Sequence, residues 1–412
     1  MKRIGILTYH KSNNYGAFMQ CYSLATKLKK LFPNECIEVV DYLSKEVYSL
    51  YHPSIRSFSY MIFHAHGVRR KLRYTKMLLS YMKVSALNKK VNVESTYFDE
   101  AQQKLPLSHK QIISDNYLEI VDYLNENYDI LIVGSDAVWN WQIRPFPNVY
   151  FLGSRIKTRK LSYAASSYGQ PFRDLTEDIK EEIKRSWCTF DYIGVRDIPT
   201  EHFVSSLLPD ITPLHNCDPT VFLDLSKLPV DRDKVLAKLK NAGYDCNKKT
   251  IGLMAQPWLA KFVRSQLESD YQIVSIFKHS EWADVNLMDI NPFEWAICFS
   301  FFDITITHYF HGNLLSLKNG TPTIVIEQMT SYNQQYDSKI RDFMKRIKLN
   351  DNCYYFDELS GNYSLRKQVE SCMNNKTIIS QINSGIEEES MSFDSFRIAL
   401  TQILQNYSEN KL

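Results

Sequence analysis

The chain has 412 residues, 44% of them hydrophobic and 23% charged, with 49 Lys and Arg against 46 Asp and Glu for a net charge of +3. At about 100 to 200 residues per domain this length predicts two or three domains, and the composition excludes a disordered, collagen-like or coiled-coil chain. So even a charge balance excludes a dedicated nucleic-acid binder, which needs a strongly basic face.

In chain order, the first apolar run is Ile4–Leu7, behind Lys2 and Arg3. Four residues fall short of a leader-peptide core of about 7 to 15, so the run reads as a buried first strand. No window reaches the roughly 18 apolar residues of a membrane span, and Phe293 to Tyr309 reads as a helix followed by a strand. The expected location is the cytoplasm, with peripheral contact at the inner membrane face.

The strand at Ile4 to Thr8 feeds the loop His10-Lys11-Ser12-Asn13-Asn14-Tyr15-Gly16-Ala17, and a helix is predicted over Phe18 to Phe32, where Leu24, Leu28 and Leu31 share a face. The segment from Lys45 to Lys90 carries ten cations, from Lys45 and Arg56 through Arg69, Arg70, Lys71, Arg73, Lys76 and Lys83 to Lys89 and Lys90, against one acid, Glu46. Its interleaved Tyr, Phe and Met suit either an anionic membrane surface or a solvated helical insertion over buried aromatics. Ile130 to Val133 then leads into Gly134-Ser135-Asp136, and Leu161 to Ala165 into Ser166-Ser167-Tyr168-Gly169.

A second alternation of strands and helices begins near Asp231, after a linker at Leu225 to Asp233, with strands at Thr250, Gln272, Ile304 and Thr323. The expected fold is α/β, two Rossmann-like domains facing a cleft (a GT-B-like architecture), with ligands at the carboxyl ends of the strands. The expected domains are 1–228, with a basic helical insertion at about 45–115, then 229–385, and a C-terminal helix over 386–412. Eight scattered cysteines without a CxxC pair predict free thiols, and neither they nor His64 and His66 suggest a metal site. No cofactor is expected.

Four places concentrate chemistry. Asn14 and Gly16 end the first strand where a tight turn brings backbone N–H groups toward a ligand. Ser135, Asp136 and Trp139 put a hydroxyl, a carboxylate and an indole into one loop. Arg196 and Asp197 follow an apolar stretch. His311, Gly312 and Asn313 begin a predicted helix after a strand.

In this order and spacing the pieces resemble the polysaccharide pyruvyl transferase family, in the bacterial branch with an Asn-Tyr-Gly-Ala start. The similarity covers Ile4 through Gln20, Gly134-Ser-Asp-Ala-Val-Trp-Asn140, Ser162-Tyr-Ala-Ala-Ser-Ser167, Val195-Arg196-Asp197, Asp218-Pro219-Thr220, Pro292-Phe-Glu-Trp295, and Phe310-His311-Gly312 with Gly320-Thr321-Pro322. The resemblance implies transfer of the enolpyruvyl group of phosphoenolpyruvate to a sugar of a surface polysaccharide or its lipid-linked precursor, giving a pyruvate ketal. It also implies that Arg196 and His311 hold phosphoenolpyruvate; His311 is expected to be catalytic as well, and Asn14, Gly16, Gly312 and Asn313 are expected to join Arg196 at the donor. At Tyr309 the chain departs from the Arg-x-His-Gly motif of other members.

On chemical grounds His311 would supply a proton or assist phosphate departure. Asp136 would take the proton of an attacking hydroxyl or bind sugar hydroxyls. Ser135 and Trp139 would meet the acceptor, unless Trp139 is core. The alternatives are a GT-B-type glycosyltransferase using a nucleotide sugar, or a non-catalytic scaffold in glycan assembly.

Overall fold

The computed structural model describes the chain apart from residues 12–13, 66, 88–92, 142–145, 169–174, 268–269, 277, 331–335, 362–363 and 410–412. Ser12, Asn13, His66, Lys89, Lys90 and Gly169 therefore lie outside the described residues. The chain divides into two compact units, residues 1–162 with 171–193, and residues 163–170 with 194–412.

In β1 (Arg3–Leu7), Ile4, Ile6 and Leu7 are all buried, because a parallel strand is covered on both faces and reads as a continuous apolar run. The chain turns into α1 (Tyr15–Leu31), where the Asn14 side chain accepts from the amides of Gly16 at 3.0 Å and Ala17 at 3.2 Å. Phe18, Cys21, Leu24, Ala25 and Leu28 bury the helix face that the spacing predicts. There follow β2 (Cys36–Val39), β3 (Tyr42–Leu43), the helices α2 (Lys45–Tyr51), α3 (Ile55–His64), α4 (Val68–Leu87) and α5 (Val93–Gln102), then β4 (Ile112–Ile113) and α6 (Tyr117–Asn127). The chain continues through β5 (Ile130–Asp136), β6 (Arg159–Ala165), α7 (Glu177–Trp187), β7 (Tyr192–Val195), α8 (Ile198–Leu207) and β8 (Leu214–His215).

The first sheet runs β2-β1-β5-β6-β7-β8, while β3 and β4 pair separately. Ile4 lies opposite Ile130 and Leu7 opposite Val133, so β1 and β5 release their loops at the same, carboxyl end of the sheet. At Gly5 an added Cβ would stand 2.8 Å from the Tyr128 ring, so glycine is what lets that ring lie on the strand.

The second sheet forms from α9 (Arg232–Asn241) onward: β9 (Lys249–Met254), α10 (Pro257–Gln266), β10 (Tyr271–Ser275), β11 (Val285–Asn286), α11 (Pro292–Cys298), β12 (Ile304–Thr307), α12 (Phe310–Lys318), β13 (Thr323–Glu327), α13 (Lys339–Arg346) and β14 (Cys353–Tyr355). Its order is β11-β10-β9-β12-β13-β14, every pair parallel. Ile251, Leu253, Ile306 and Ile326 meet Leu259, Val263 and Leu365 in one core. The fold class is therefore the expected one, α/β with two Rossmann-like parallel sheets. The chain ends in α14 (Phe356–Gly361), α15 (Leu365–Asn374), α16 (Ile378–Ser390) and α17 (Phe393–Glu409). The expected single C-terminal helix is thus two helices, and the Ser392 hydroxyl between them accepts from the Cys217 amide at 2.8 Å. Phe396 is buried against the ring of Tyr163, 4.9 Å away.

Candidate functional site

Three residues of the second unit, Arg196, Asp218 and His311, build a charged cluster. β7 ends at Val195 and delivers Arg196; the turn after β8 carries Asp218; β12 ends at Thr307 and leads to His311 in the first turn of α12. The Thr307 hydroxyl shapes that last turn, donating to the Met254 carbonyl at 2.8 Å and accepting from the Tyr309 amide at 2.9 Å. Tyr309, the N-cap, makes no side-chain capping bond to α12.

Asp218 is the hub. Its Oδ2 accepts from Arg196 Nη1 at 3.0 Å and lies 3.4 Å from His311 Nε2, while Oδ1 accepts from the Thr220 amide at 2.9 Å. The Asp218 side chain is 0% exposed and that of Arg196 3%, whereas His311 keeps 13% and can be reached. Burial pushes the Asp218 carboxyl up, but His311 and Arg196 outweigh it and hold the group far below the usual carboxylate range. The guanidinium of Arg196 also sits 5.7 Å from the centre of the Phe310 ring, and Lys339 Nζ, at the start of α13, sits 5.6 Å from the same ring. Arg196, Lys339 and His311 thus gather around Phe310 with Asp218 among them.

Asp197 caps α8: its Oδ1 accepts from the Thr200 amide at 3.0 Å, and its Oδ2 from the Ser166 hydroxyl at 2.5 Å. Gly312 has a packing reason to be glycine, since a Cβ there would stand 2.5 Å from Met254 Sδ and 3.1 Å from Thr307 Oγ1. Asn313 is wholly buried, with its Oδ1 accepting from the Thr323 hydroxyl at 2.6 Å, so its side chain serves the junction of α12 with β13.

Asn14, Gly16, Ser135, Asp136 and Trp139 belong to the first unit. Asn14 and Gly16 form the cap of α1 described above. Ser135 is buried and donates to Gln20 Oε1 at 2.8 Å, tying β5 to α1. Asp136 stands at φ 85°, an uncommon backbone conformation for a residue with a side chain, and its Oδ1 accepts from the Ala137 amide at 2.8 Å. Trp139 is 0% exposed: Nε1 donates to the Tyr150 carbonyl at 3.1 Å, and the ring lies 4.1 Å from that of Trp187. An indole so enclosed is core and has no face to offer a sugar.

Sequence reasoning passed over three features. Asp218 was visible as part of Asp218-Pro219-Thr220 but carried no role. Lys339 had no motif around it. In the first unit, buried His10 places Nε2 3.1 Å from Asp41 Oδ1, and Lys11 Nζ lies 2.7 Å from Asp41 Oδ2. Burial would raise the Asp41 carboxyl, but the bonds from His10 and Lys11 hold it below its ordinary value. Among the described residues no three His, Cys, Asp or Glu side chains gather as a metal site would require.

Solved structures share the fold at low identity. A Listeria monocytogenes protein provisionally assigned as a UDP-N-acetylglucosamine 2-epimerase matches with a TM-score of 0.51 and 11% identity, over 99% of this chain and 97% of that one. The UDP-GlcNAc 2-epimerase of Methanocaldococcus jannaschii matches at 0.50 and 10%, over 91% and 94%. These likenesses support a GT-B-type α/β fold and nothing finer. Comparison with curated proteins gave no match. A family profile, however, matches residues 14–328, from the cap of α1 to just beyond β13, and so takes in Arg196, Asp218 and His311. The chain is therefore a member of the polysaccharide pyruvyl transferase family, and its activity is that of a transferase.

Proposed function

We propose that the protein moves the carbon skeleton of phosphoenolpyruvate onto a sugar of a bacterial surface polysaccharide or its lipid-linked precursor, forming a pyruvate ketal and releasing phosphate. The observation that carries this reading is the convergence of Arg196, Lys339 and His311 around Phe310, beside the uncapped start of α12. Phosphoenolpyruvate bears a carboxylate and a phosphate, and such an anion is held by guanidinium, ammonium and backbone N–H donors. Tyr309 stands where some members of the family carry an arginine, and Lys339, 5.6 Å from the Phe310 ring, is a second cation beside that ring.

His311, carrying a proton and oriented by Asp218, donates it to the methylene carbon, leaving an oxocarbenium-like centre at the adjacent carbon. A sugar hydroxyl attacks that centre and loses its proton. The bond from this carbon to the phosphate oxygen then breaks and the electron pair leaves with phosphate. A second hydroxyl closes the ketal. Of the two hydroxyl protons, one restores His311 and the other leaves on phosphate.

The test is to incubate the protein with phosphoenolpyruvate, with and without an oligosaccharide acceptor, and follow phosphate. Acceptor-dependent release with a mass gain of the pyruvate ketal is the expected result. No release from phosphoenolpyruvate, together with UDP release from a UDP-sugar, would replace this reading with glycosyl transfer.

A further inference from the structure

The helices between β3 and β4 have two apolar faces where a packed helix needs one. On α4, Tyr74 is buried with Phe58 and Met61 of α3, and Met77, Leu78 and Tyr81 pack against that cluster. The opposite side is also apolar, and among the described residues nothing covers it: Val68 is 74% exposed, Leu72 56%, Leu79 55% and Met82 49%, while Phe63 near the end of α3 is 79% exposed. At about 100° per residue, Val68, Leu72 and Leu79 fall on a stripe about 40° wide. Exposed Arg69, Arg73 and Lys76 run along one side of that stripe, and exposed Lys71 along the other. From Val47 to Val93 the chain contains no Asp or Glu, so no acid neutralises this face from within the segment. Beneath the hairpin, within the same unit, lies a cavity of about 1240 Å³ whose lining includes Lys45, Tyr60, Arg70, Arg73 and Tyr74.

We propose that the outer face of α4, with the end of α3, docks on the surface of an anionic lipid bilayer. A solvated helix would have a polar outer face. A stripe of leucine and valine whose charged neighbours on the helix are all cations is what an interfacial helix presents: apolar side chains entering the head-group boundary, and lysine and arginine meeting the lipid phosphates. The arrangement is that of a helix lying in the membrane plane. It does not cross: no described helix is long and apolar enough to span a membrane. The electrostatic part decays over a Debye length of about 8 Å at physiological salt, so attachment is reversible and salt-sensitive.

The experiment is flotation of the full chain with vesicles of phosphatidylcholine alone, or of phosphatidylcholine with about one third phosphatidylglycerol, at low and high sodium chloride. The proposal expects binding only to the anionic vesicles, fading as salt rises. Each cation near the surface is worth about 1 kcal/mol, or about fivefold, so the triple variant Arg69→Glu, Arg73→Glu, Lys76→Glu should bind on the order of 100-fold more weakly. The Leu72→Ser, Leu79→Ser variant should also lose binding, with circular dichroism and turnover on a free sugar acceptor unchanged. Indifference of the parent protein to anionic vesicles at low salt would overturn the proposal, as would undiminished binding by either variant. Self-association of the parent that Leu72→Ser, Leu79→Ser abolishes, without vesicle binding, would assign the face to a second copy of the chain instead.

Discussion

Replacing Asp218 by Asn tests whether the charged cluster is a coupled unit. At 3.0 Å, and with an effective dielectric of about 20, a carboxylate and a guanidinium attract by about 5.5 kcal/mol. Desolvation consumes part of that, and measured losses on removing one partner of a buried pair are about 3 to 5 kcal/mol. Asparagine keeps the cap on Thr220 and one hydrogen bond, worth about 1 kcal/mol, so Asp218→Asn should destabilise the second unit by about 2 to 4 kcal/mol at pH 7. The pH dependence follows from the lowered carboxyl. In the unfolded chain Asp218 takes up a proton near its ordinary value of 3.8, while in the folded chain it stays ionised to lower pH. Its stabilisation is complete well above the unfolded value and is lost as pH falls toward the folded one, so parent and variant should converge on acidification below about pH 4. Urea denaturation followed by tryptophan fluorescence, at pH 7 and at about pH 3, gives both quantities. Adding Arg196→Met, which removes the guanidinium whose counter-charge is gone, should recover part of the loss. Equal stability of parent and Asp218→Asn at pH 7, or a further loss on adding Arg196→Met, would refute the coupling.

Other consequences can be checked separately. His311→Asn should fold as the parent does but turn over about 10²- to 10⁴-fold more slowly, measured as acceptor-dependent phosphate release; activity within a few-fold of the parent would make the residue structural. Burial, aided by Lys278, lowers His308 to about 4, below its ordinary 6.5, so the unfolded chain binds the extra proton between those values and stability falls as pH drops through that window. His308→Phe, which keeps a ring beside Trp258, should flatten that part of the pH–stability curve. Gly252→Ala would place a Cβ 2.4 Å from the Phe302 ring, and should lower stability by about 1 to 3 kcal/mol in thermal or urea unfolding.

The principal strands were legible because parallel strands covered on both faces leave a readable mark: Ile4–Leu7, Ile130–Val133 and Leu161–Ala165 are short, mainly apolar runs that lead into small or polar residues. β3, β4, β8 and β11 are two residues long, and two residues carry no period to read. In the site, Arg196 and His311 could be singled out because each follows a strand and matches a family motif. Asp218 could not be given a role from sequence, since an Asp before Pro is equally well a cap, and it is in fact both cap and counter-ion. Lys339 belongs to the helix after β13, and only the folding of that helix brings its amine to Phe310. Trp139 and Asn313 show the opposite case: their side chains suit a binding role, but burial assigns them to the core.

The central claim is that the cluster of Arg196, Lys339 and His311 holds an anionic three-carbon donor. Titration calorimetry of the intact protein with phosphoenolpyruvate, alongside Arg196→Lys, Lys339→Met and a parallel titration with UDP-N-acetylglucosamine, tests it most directly. The account predicts saturable binding of phosphoenolpyruvate that each substitution weakens, by about 1.5 to 3 kcal/mol for a charge-assisted bond, and no comparable binding of the nucleotide sugar. Phosphoenolpyruvate affinity that is absent, or the same in all three proteins, would contradict it.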